Sequence, residues 1–341
     1  MDLRLLVQLG IVGLTFFMLI NASALLVYAE RKVMGFMQQR YGPYRVGPHG
    51  LLQPLADIVK LLMKEELRPK GADKWLFTLA PILSVTAAFA AFATVPWGAE
   101  TTLFGLLDNP VKLGVSDVNV GVLVVFAITS MGVYGIVLAG WSSNSKYSLF
   151  GGLRASAQMI SYELSYATAL AAVILLAGSL SLREVVDGQA GAWFGIVPRW
   201  YVFLQPVGFL IYVIAGVAET NRAPFDFPEA EQELVSGYNT EYSSVRFALF
   251  PQAKYINMTT MSAVATDLYL GGWHGPFLPP EYGWIWFLLK IGVILFGYIW
   301  VRWTVPRYRY DQLMQFGWKW LFPAAVINLI VTAALVLYFN A

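Results

Sequence analysis

Runs of about twenty mostly apolar residues recur along the whole chain, and they restrict its fold more than any other feature. A run of that length crosses a hydrocarbon layer ~30 Å thick at a helical rise of ~1.5 Å per residue. Inside such a layer the backbone must satisfy its own polar groups, so each run is a helix. The runs stand near 3–29, 76–97, 118–140, 156–178, 200–219, 243–272, 283–304 and 319–339. The first is far longer than the core of a signal peptide and is followed by no small-residue cleavage site, so it reads as a permanent span. Arg246, Pro251, Lys254 and Asp267 interrupt the sixth, which suggests a long, tilted helix with a broken start. Charged residues make up 13% of the chain, against about 25% in a typical soluble domain. No repeat, low-complexity segment or linker divides it. The expectation is an all-α integral membrane protein with about eight transmembrane helices, built as one membrane domain over 1–341.

The basic residues set the orientation. Of the 23 Lys and Arg, nine lie between Arg31 and Lys74. Lys146, Arg154, Arg222, Arg246, Lys254, Arg302, Arg307, Arg309 and Lys319 fall in or beside the other loops of the same side. Only Arg4, Lys112, Arg183 and Arg199 belong to the opposite side, and Lys290 sits within the seventh run. By the positive-inside rule the basic side is cytoplasmic, or its organellar equivalent, and both termini lie on the other side. A multi-pass protein of the cell inner membrane, or of its mitochondrial counterpart, is expected.

Two polar stretches then fall on one side. Residues 31–74 begin with the turn-rich MQQRYGPYRVGPHG and pass into 51–64, where Gln53, Asp57, Lys60 and Lys64 share one helical face and Leu51, Leu55, Ile58 and Leu62 look elsewhere. This is an amphipathic helix too short and too charged to span, and lipid is its simplest partner. The second stretch, AETNRAPFDFPEAEQELVSGYNTEY at 218–242, carries Asp226, Glu229, Glu231, Glu233 and Glu241. So many carboxylates beside membrane spans work against solvation and against each other, so some should hold protons near neutral pH. If 227–236 is helical, Glu229 and Glu233 stack one turn apart and Glu231 points the other way, with Asp226 placed to cap. A solvated acidic loop is the plainer alternative.

Glu163 stands in the middle of the fourth run, where a carboxylate is costly unless it faces a wet cavity, meets a partner or is protonated. A structural hydrogen bond across helices is its other reading. Glu219 closes the fifth run and opens the acidic stretch, so the two could share one polar track. Lys290 needs a carboxylate or loses its proton, and Glu163, Glu219 and Asp267 are the candidate partners. His49 suits the turns of its Gly-Pro loop, and His274 a structural role in GGWHGP. The chain has no Cys and two His, which excludes Cys-ligated iron–sulfur clusters, c-type haem and thiol catalysis and leaves no metal site in view. No HExxH, GxSxG, P-loop or GxGxxG pattern occurs. No side chain is assigned a catalytic role, and nothing points to nucleic acid.

The segments ERKVMGFMQQRYGPYRVGPHGLLQPLADIVKLLMKE (30–65), GIVLAGWSSNSKYSLFGGLRASAQMISYE (135–163) and 218–242 resemble subunit 1/H of proton-pumping NADH:quinone oxidoreductase, respiratory complex I. GGWHGP (271–276) and VRWTVPRYRYDQLMQFGWKWLFP (301–323) continue the likeness across essentially the whole chain. The resemblance implies a membrane subunit that anchors the soluble quinone-reducing arm, meets the other membrane subunits and phospholipid, and builds much of the tunnel for quinone, its substrate. It places Arg31, Arg222 and Asp226 near that tunnel and turns the 51–64 helix into a tunnel wall. Glu163, Glu219, Glu229, Glu231 and Glu233 become a proton relay toward the antiporter-like subunits. No cofactor would be covalently held; iron–sulfur clusters, FMN and the NADH site would lie on partner subunits. The likeness departs at Tyr44, where a small polar residue is usual, and at Lys254, where Glu is usual. A homologous anchor of a membrane-bound hydrogenase or related dehydrogenase is the alternative. A stand-alone secondary transporter is a more distant one, because it predicts inverted repeats.

Overall fold

The computed structural model describes residues 3–101, 110–193, 197–227, 235–276 and 279–340. Helices dominate them: α1 Leu3–Met37, α2 Gln53–Met63, α3 Lys74–Phe92, α4 Gly121–Ser142, α5 Lys146–Ala177, α6 Leu182–Asp187, α7 Pro206–Glu219, α8 Ser244–Tyr269, α9 Gly283–Thr304, α10 Tyr310–Phe316 and α11 Phe322–Asn340. The strand content is two short antiparallel pairs, Glu100–Thr101 with Val111–Lys112 and Ala192–Trp193 with Val197–Pro198. The chain is thus an all-α integral membrane protein. A π-helical turn, Gly317–Leu321, joins α10 to α11.

Among the described residues, six helices are long and apolar enough to cross a membrane: Leu5–Met37, Lys74–Phe92, Gly121–Ser142, Lys146–Ala177, Gly283–Thr304 and Tyr310–Phe339. The other two expected spans are helices of a different character. The 14 residues of α7 rise only ~21 Å. The 26 residues of α8 are long enough but polar. Instead of the broken start expected there, α8 runs unbroken from Ser244 through Pro251.

The polarity of α8 follows from its place. It packs against α3, α7, α9 and α1, and every residue from Met258 to Tyr269 is buried. A helix enclosed on all faces needs no apolar stripe, provided its hydroxyls are satisfied. They are: Thr259, Thr260, Ser262 and Thr266 each donate to the carbonyl one turn back, at 2.8–3.0 Å. By contrast α1 and α11 expose apolar side chains such as Leu9, Phe17, Ile327 and Val331. That outward face belongs against lipid tails or another apolar helix.

Helix ends are locally encoded. Asp73 accepts from the backbone N–H groups of Trp75 and Leu76 at 3.0 Å and starts α3. Gly178 ends α5 in the left-handed conformation, φ 69°. A Cβ on Gly151 of α5 would stand 2.6 Å from the backbone nitrogen of Tyr238, so only glycine lets the 237–239 turn settle on α5. That turn and Tyr242, stacked on Phe77 of α3 at 4.0 Å between ring centroids, carry the chain from the acidic stretch into α8.

Candidate functional site

The three residues expected near a tunnel, Arg222, Arg31 and Asp226, fall in three separate settings. Arg222 is buried just beyond α7, and its Nη1 lies 3.2 Å from both carboxylate oxygens of Glu30. Tyr255 of α8 donates to Glu30 Oε2 at 2.7 Å, and Arg302 of α9 pairs with Oε1. The Arg222 guanidinium also stacks 4.2 Å from the Tyr255 ring centroid. One buried carboxylate therefore fastens α1, α8, α9 and the start of the acidic stretch together. Glu30 follows directly on the first apolar run, and the sequence reading did not single it out. Its signal was present, since a carboxylate closing an apolar helix opposite several arginines has few ways to be solvated.

Arg31 turns outward and pairs with Asp57 of α2 at 2.5 Å, while Gln53 donates to the other Asp57 oxygen at 3.3 Å. The expected polar face of α2 thus docks on the end of α1. Its apolar side chains Leu55, Ile58 and Leu62 stay exposed. An open cavity of about 810 Å³ lies beside it, lined by Lys60, Leu61, Met63, Lys64, Tyr242, Ser244 and Phe247. The Tyr242 hydroxyl is pushed up to about 12 by burial, against the Ser142 hydrogen bond and the Arg246 charge, so it stays a neutral phenol. Tyr44 is exposed, edge-on to His49 at 5.9 Å and 5.8 Å from the Lys32 ammonium, and the Gly-Pro loop closes around that trio.

Asp226 lies in a segment held by aromatic contacts. Phe225 stacks on Tyr308 at 6.0 Å, Phe227 meets Tyr310 edge-on at 5.9 Å, and Arg307 donates to the Asp226 carbonyl at 3.0 Å. Gln158, fully buried on α5, donates to the carbonyls of Ala218 and Phe225 at 2.8 Å and reaches Asn221 at 3.2 Å. Sequence reasoning missed Gln158 too, although a carboxamide inside an apolar run must find carbonyls to bond.

Glu163 and Glu219 come together. Ser130 of α4 donates to Glu163 Oε1. Glu219 is buried at the end of α7, close enough to Glu163 for their charges to interact, and Tyr166 of α5 faces both. Glu219 Oε2 has no hydrogen-bond partner among the described residues and borders a cavity of about 30 Å³. Glu229, Glu231 and Glu233 lie outside the described residues.

Lys290 is satisfied otherwise than expected. Its ammonium donates to the carbonyls of Leu270, Gly272 and His274 at 2.6–2.8 Å, with the Trp200 ring 4.5 Å away. Three carbonyl oxygens use all three of its donors. Of the carboxylates considered, Asp267 is the one whose charge reaches it. On the same loop, burial pushes the His274 imidazole below its ordinary range, against the pull of Asp187 at 3.7 Å. Among the described residues no group of three or more His, Asp or Glu side chains is arranged to hold a metal ion.

A helical membrane body with a buried carboxyl group beside a half-buried one, and a third locked between arginines, defines a polytopic membrane protein built to keep charge inside apolar surroundings. The family model for NADH dehydrogenase matches residues 9–333, and the chain belongs to that family. It is 50% identical over 326 residues to the first of the NADH-quinone oxidoreductase H subunits of Geobacter metallireducens, covering 96% of this chain and 95% of the relative. It is 51% identical over 351 residues to the second such H subunit of Koribacter versatilis, 98% of each. With the corresponding H subunit of Protochlamydia amoebophila it shares 49% over 313 residues, 92% of each.

Proposed function

We propose that this chain is the membrane subunit of a proton-translocating NADH:quinone oxidoreductase that anchors the soluble arm, walls much of the quinone tunnel and couples quinone reduction to proton movement. The observation that carries this reading is full-length identity near 50% to proteins named as the H subunit of NADH-quinone oxidoreductase. The chain acts as one membrane domain without a redox centre of its own. Electrons come from iron–sulfur clusters, FMN and an NADH site on partner subunits, and its other neighbours are membrane subunits and phospholipid. It lies in the cell inner membrane, or the mitochondrial equivalent, with both termini on the non-cytoplasmic side.

In this reading α2, Arg31, Arg222 and Asp226 border the quinone path. The open cavity beside α2 supports it, since its volume is within the range of small-molecule sites. Protons travel along Glu163, Glu219, Glu229, Glu231 and Glu233. The proximity of Glu163 to Glu219 supports the first link, because two carboxyl groups so close in apolar surroundings cannot both ionise cheaply. A charge change at the quinone, or a shift of the 220–227 segment, then moves protons by electrostatics alone. Glu163→Gln and Glu219→Gln keep size and hydrogen bonding but cannot titrate. Each is expected to lower quinone-linked NADH oxidation and proton pumping together, by about tenfold or more, in a complex that still assembles. Glu231→Gln should do less. Normal pumping with either span-associated Gln variant would refute the track. Affinity purification that recovers hydrogenase subunits in place of an NADH-oxidising arm would refute the enzyme.

A further inference from the structure

The 30 Å³ cavity beside Glu219 is lined from five directions: Ser84 of α3, Ile136 of α4, Met159 of α5, Glu219 of α7, and Lys254 and Asn257 of α8. Three of the polar atoms at its wall have no hydrogen-bond partner among the described residues: Ser84 Oγ, Glu219 Oε2 and Asn257 Oδ1. A buried polar group left without a partner keeps the full cost of its lost hydration. Three of them facing one space, on three different helices, are not scattered packing errors. They are one unsatisfied site.

The chemistry of the wall names what completes it. Two of the atoms, Glu219 Oε2 and Asn257 Oδ1, are acceptors. The Ser84 hydroxyl can donate, and so can the Lys254 ammonium, whose Nζ lies 5.8 Å from the Tyr238 ring centroid and has three donors to distribute. A molecule that donates to the two acceptors and accepts from the Ser84 hydroxyl satisfies the three orphaned atoms and can also accept from the Lys254 ammonium, and water is the smallest that does. A cavity needs ~10–15 Å³ and two to four polar partners to hold one, so the space admits one or two. A metal cation of similar size would meet the buried ammonium and is disfavoured by charge. Apolar groups of Ile136, Met159, Phe250 and Ala253 close the remaining walls.

We propose that this cavity binds water which links Glu219 to Lys254, making Lys254, with Asn257 and Ser84, a positioning residue for the proton of Glu219. Among the described residues, the titratable groups that face Glu219 are Glu163 and Tyr166 of α5, Lys254 of α8 and Tyr238 of the 237–239 turn. Glu163 opposes ionisation of Glu219 by like charge, and Lys254 favours it by opposite charge transmitted through the water. The acid pair therefore sits between two opposed fields, and the lysine side sets how readily Glu219 gives up its proton. The consequence for rate rests on the proton-track reading; the water does not.

Two measurements on the assembled complex separate the two. A cryo-electron microscopy map fine enough to resolve ordered solvent is expected to show density within hydrogen-bond distance of Glu219 Oε2 and Asn257 Oδ1. An empty cavity, or density at the shorter oxygen distances of a bound cation, overturns the proposal whatever the activity of Glu219 variants. Lys254→Met is expected to move the pH midpoint of quinone-linked NADH oxidation upward by about one pH unit, the scale of one screened charge. Lys254→Arg should hold it near the parent value. Asn257→Leu fills the cavity without touching either charge, and should remove the density and shift the midpoint in the same direction as Lys254→Met. NADH oxidation by an artificial acceptor reports assembly for each variant. Parent-like midpoints in both Lys254→Met and Asn257→Leu overturn the link, while loss of pumping in Glu219→Gln is read separately and bears on the track alone.

Discussion

Glu30→Gln is the sharpest probe of how the acidic stretch is held. The carboxylate is 5% exposed and meets Arg222, Arg302 and the Tyr255 hydroxyl. Removing its charge leaves two guanidinium groups facing a neutral amide. Breaking a buried ion pair from one side costs ~3–5 kcal/mol. Two features lower that figure here. A single Arg222 nitrogen is shared between both oxygens at 3.2 Å, so this arm is weaker than a bidentate fork. Arg302 is 27% exposed in its side chain, so water replaces part of what it loses. About 2–3 kcal/mol is the resulting expectation, or roughly a 30- to 150-fold rise in the population of opened segments at ~1.4 kcal/mol per factor of ten. Hydrogen exchange read by mass spectrometry over 218–227 should show it as faster exchange, with quinone-linked oxidation reduced and artificial-acceptor activity retained. Arg222→Met should do the same, and the double variant should cost less than the two single costs added. Strict additivity, or unchanged exchange in Glu30→Gln, would refute the idea that one carboxylate fastens this segment.

Other outcomes are equally open to test. Cysteines placed at Asn119 and at Lys146, on either side of α4, should react with an impermeant reagent from opposite faces of the membrane; labelling of both from one face would overturn the topology. Leu55→Trp and Ile58→Trp, on the exposed apolar face of α2, should weaken inhibition by quinone analogues several-fold while sparing artificial-acceptor activity, and equal loss of both would point to failed assembly. His274 binds its proton less readily in the fold than in the unfolded chain. Its contribution to stability is therefore present above about pH 6.5 and lost as pH falls below that value. His274→Gln should flatten this part of the thermal-inactivation profile, and a profile unchanged by the substitution would remove His274 as its cause.

The fold was legible where hydrophobicity and structure are the same fact. Six runs face lipid or apolar neighbours over enough length for composition alone to mark them. The helix that composition described worst is α8, because its neighbours, not lipid, are its solvent. In that setting Thr260, Ser262 and Thr266 cost little once bonded to their own helix. Pro251 removes one hydrogen bond near the start of α8 and does not end it, which periodicity cannot foresee. Within the candidate site, Glu163 and Glu219 were visible as carboxylates where carboxylates are expensive. Their mutual approach depends on how α5 and α7 pack, and spacing along one chain does not encode it. Lys290 shows the same limit: the need for a counter-group is readable, but backbone carbonyls can fill it, and these leave no mark in sequence.

The composition of α8 also bears on how such a protein is made. A helix bearing Arg246, Lys254 and Asp267 carries a cost of ~2.5–3.5 kcal/mol for each charge near the bilayer centre when it is offered to lipid alone. Its stable position, walled by α1, α3, α7 and α9, exists only after those helices have entered. Chain order supplies α1, α3 and α7 first, whereas α9 emerges later and carries the Arg302 that closes on Glu30. During synthesis α8 should therefore wait in the insertion machinery until α9 arrives. Biogenesis of this protein would then run by the completion of a protein-lined slot, with its most deeply buried helix among the last to leave the translocon.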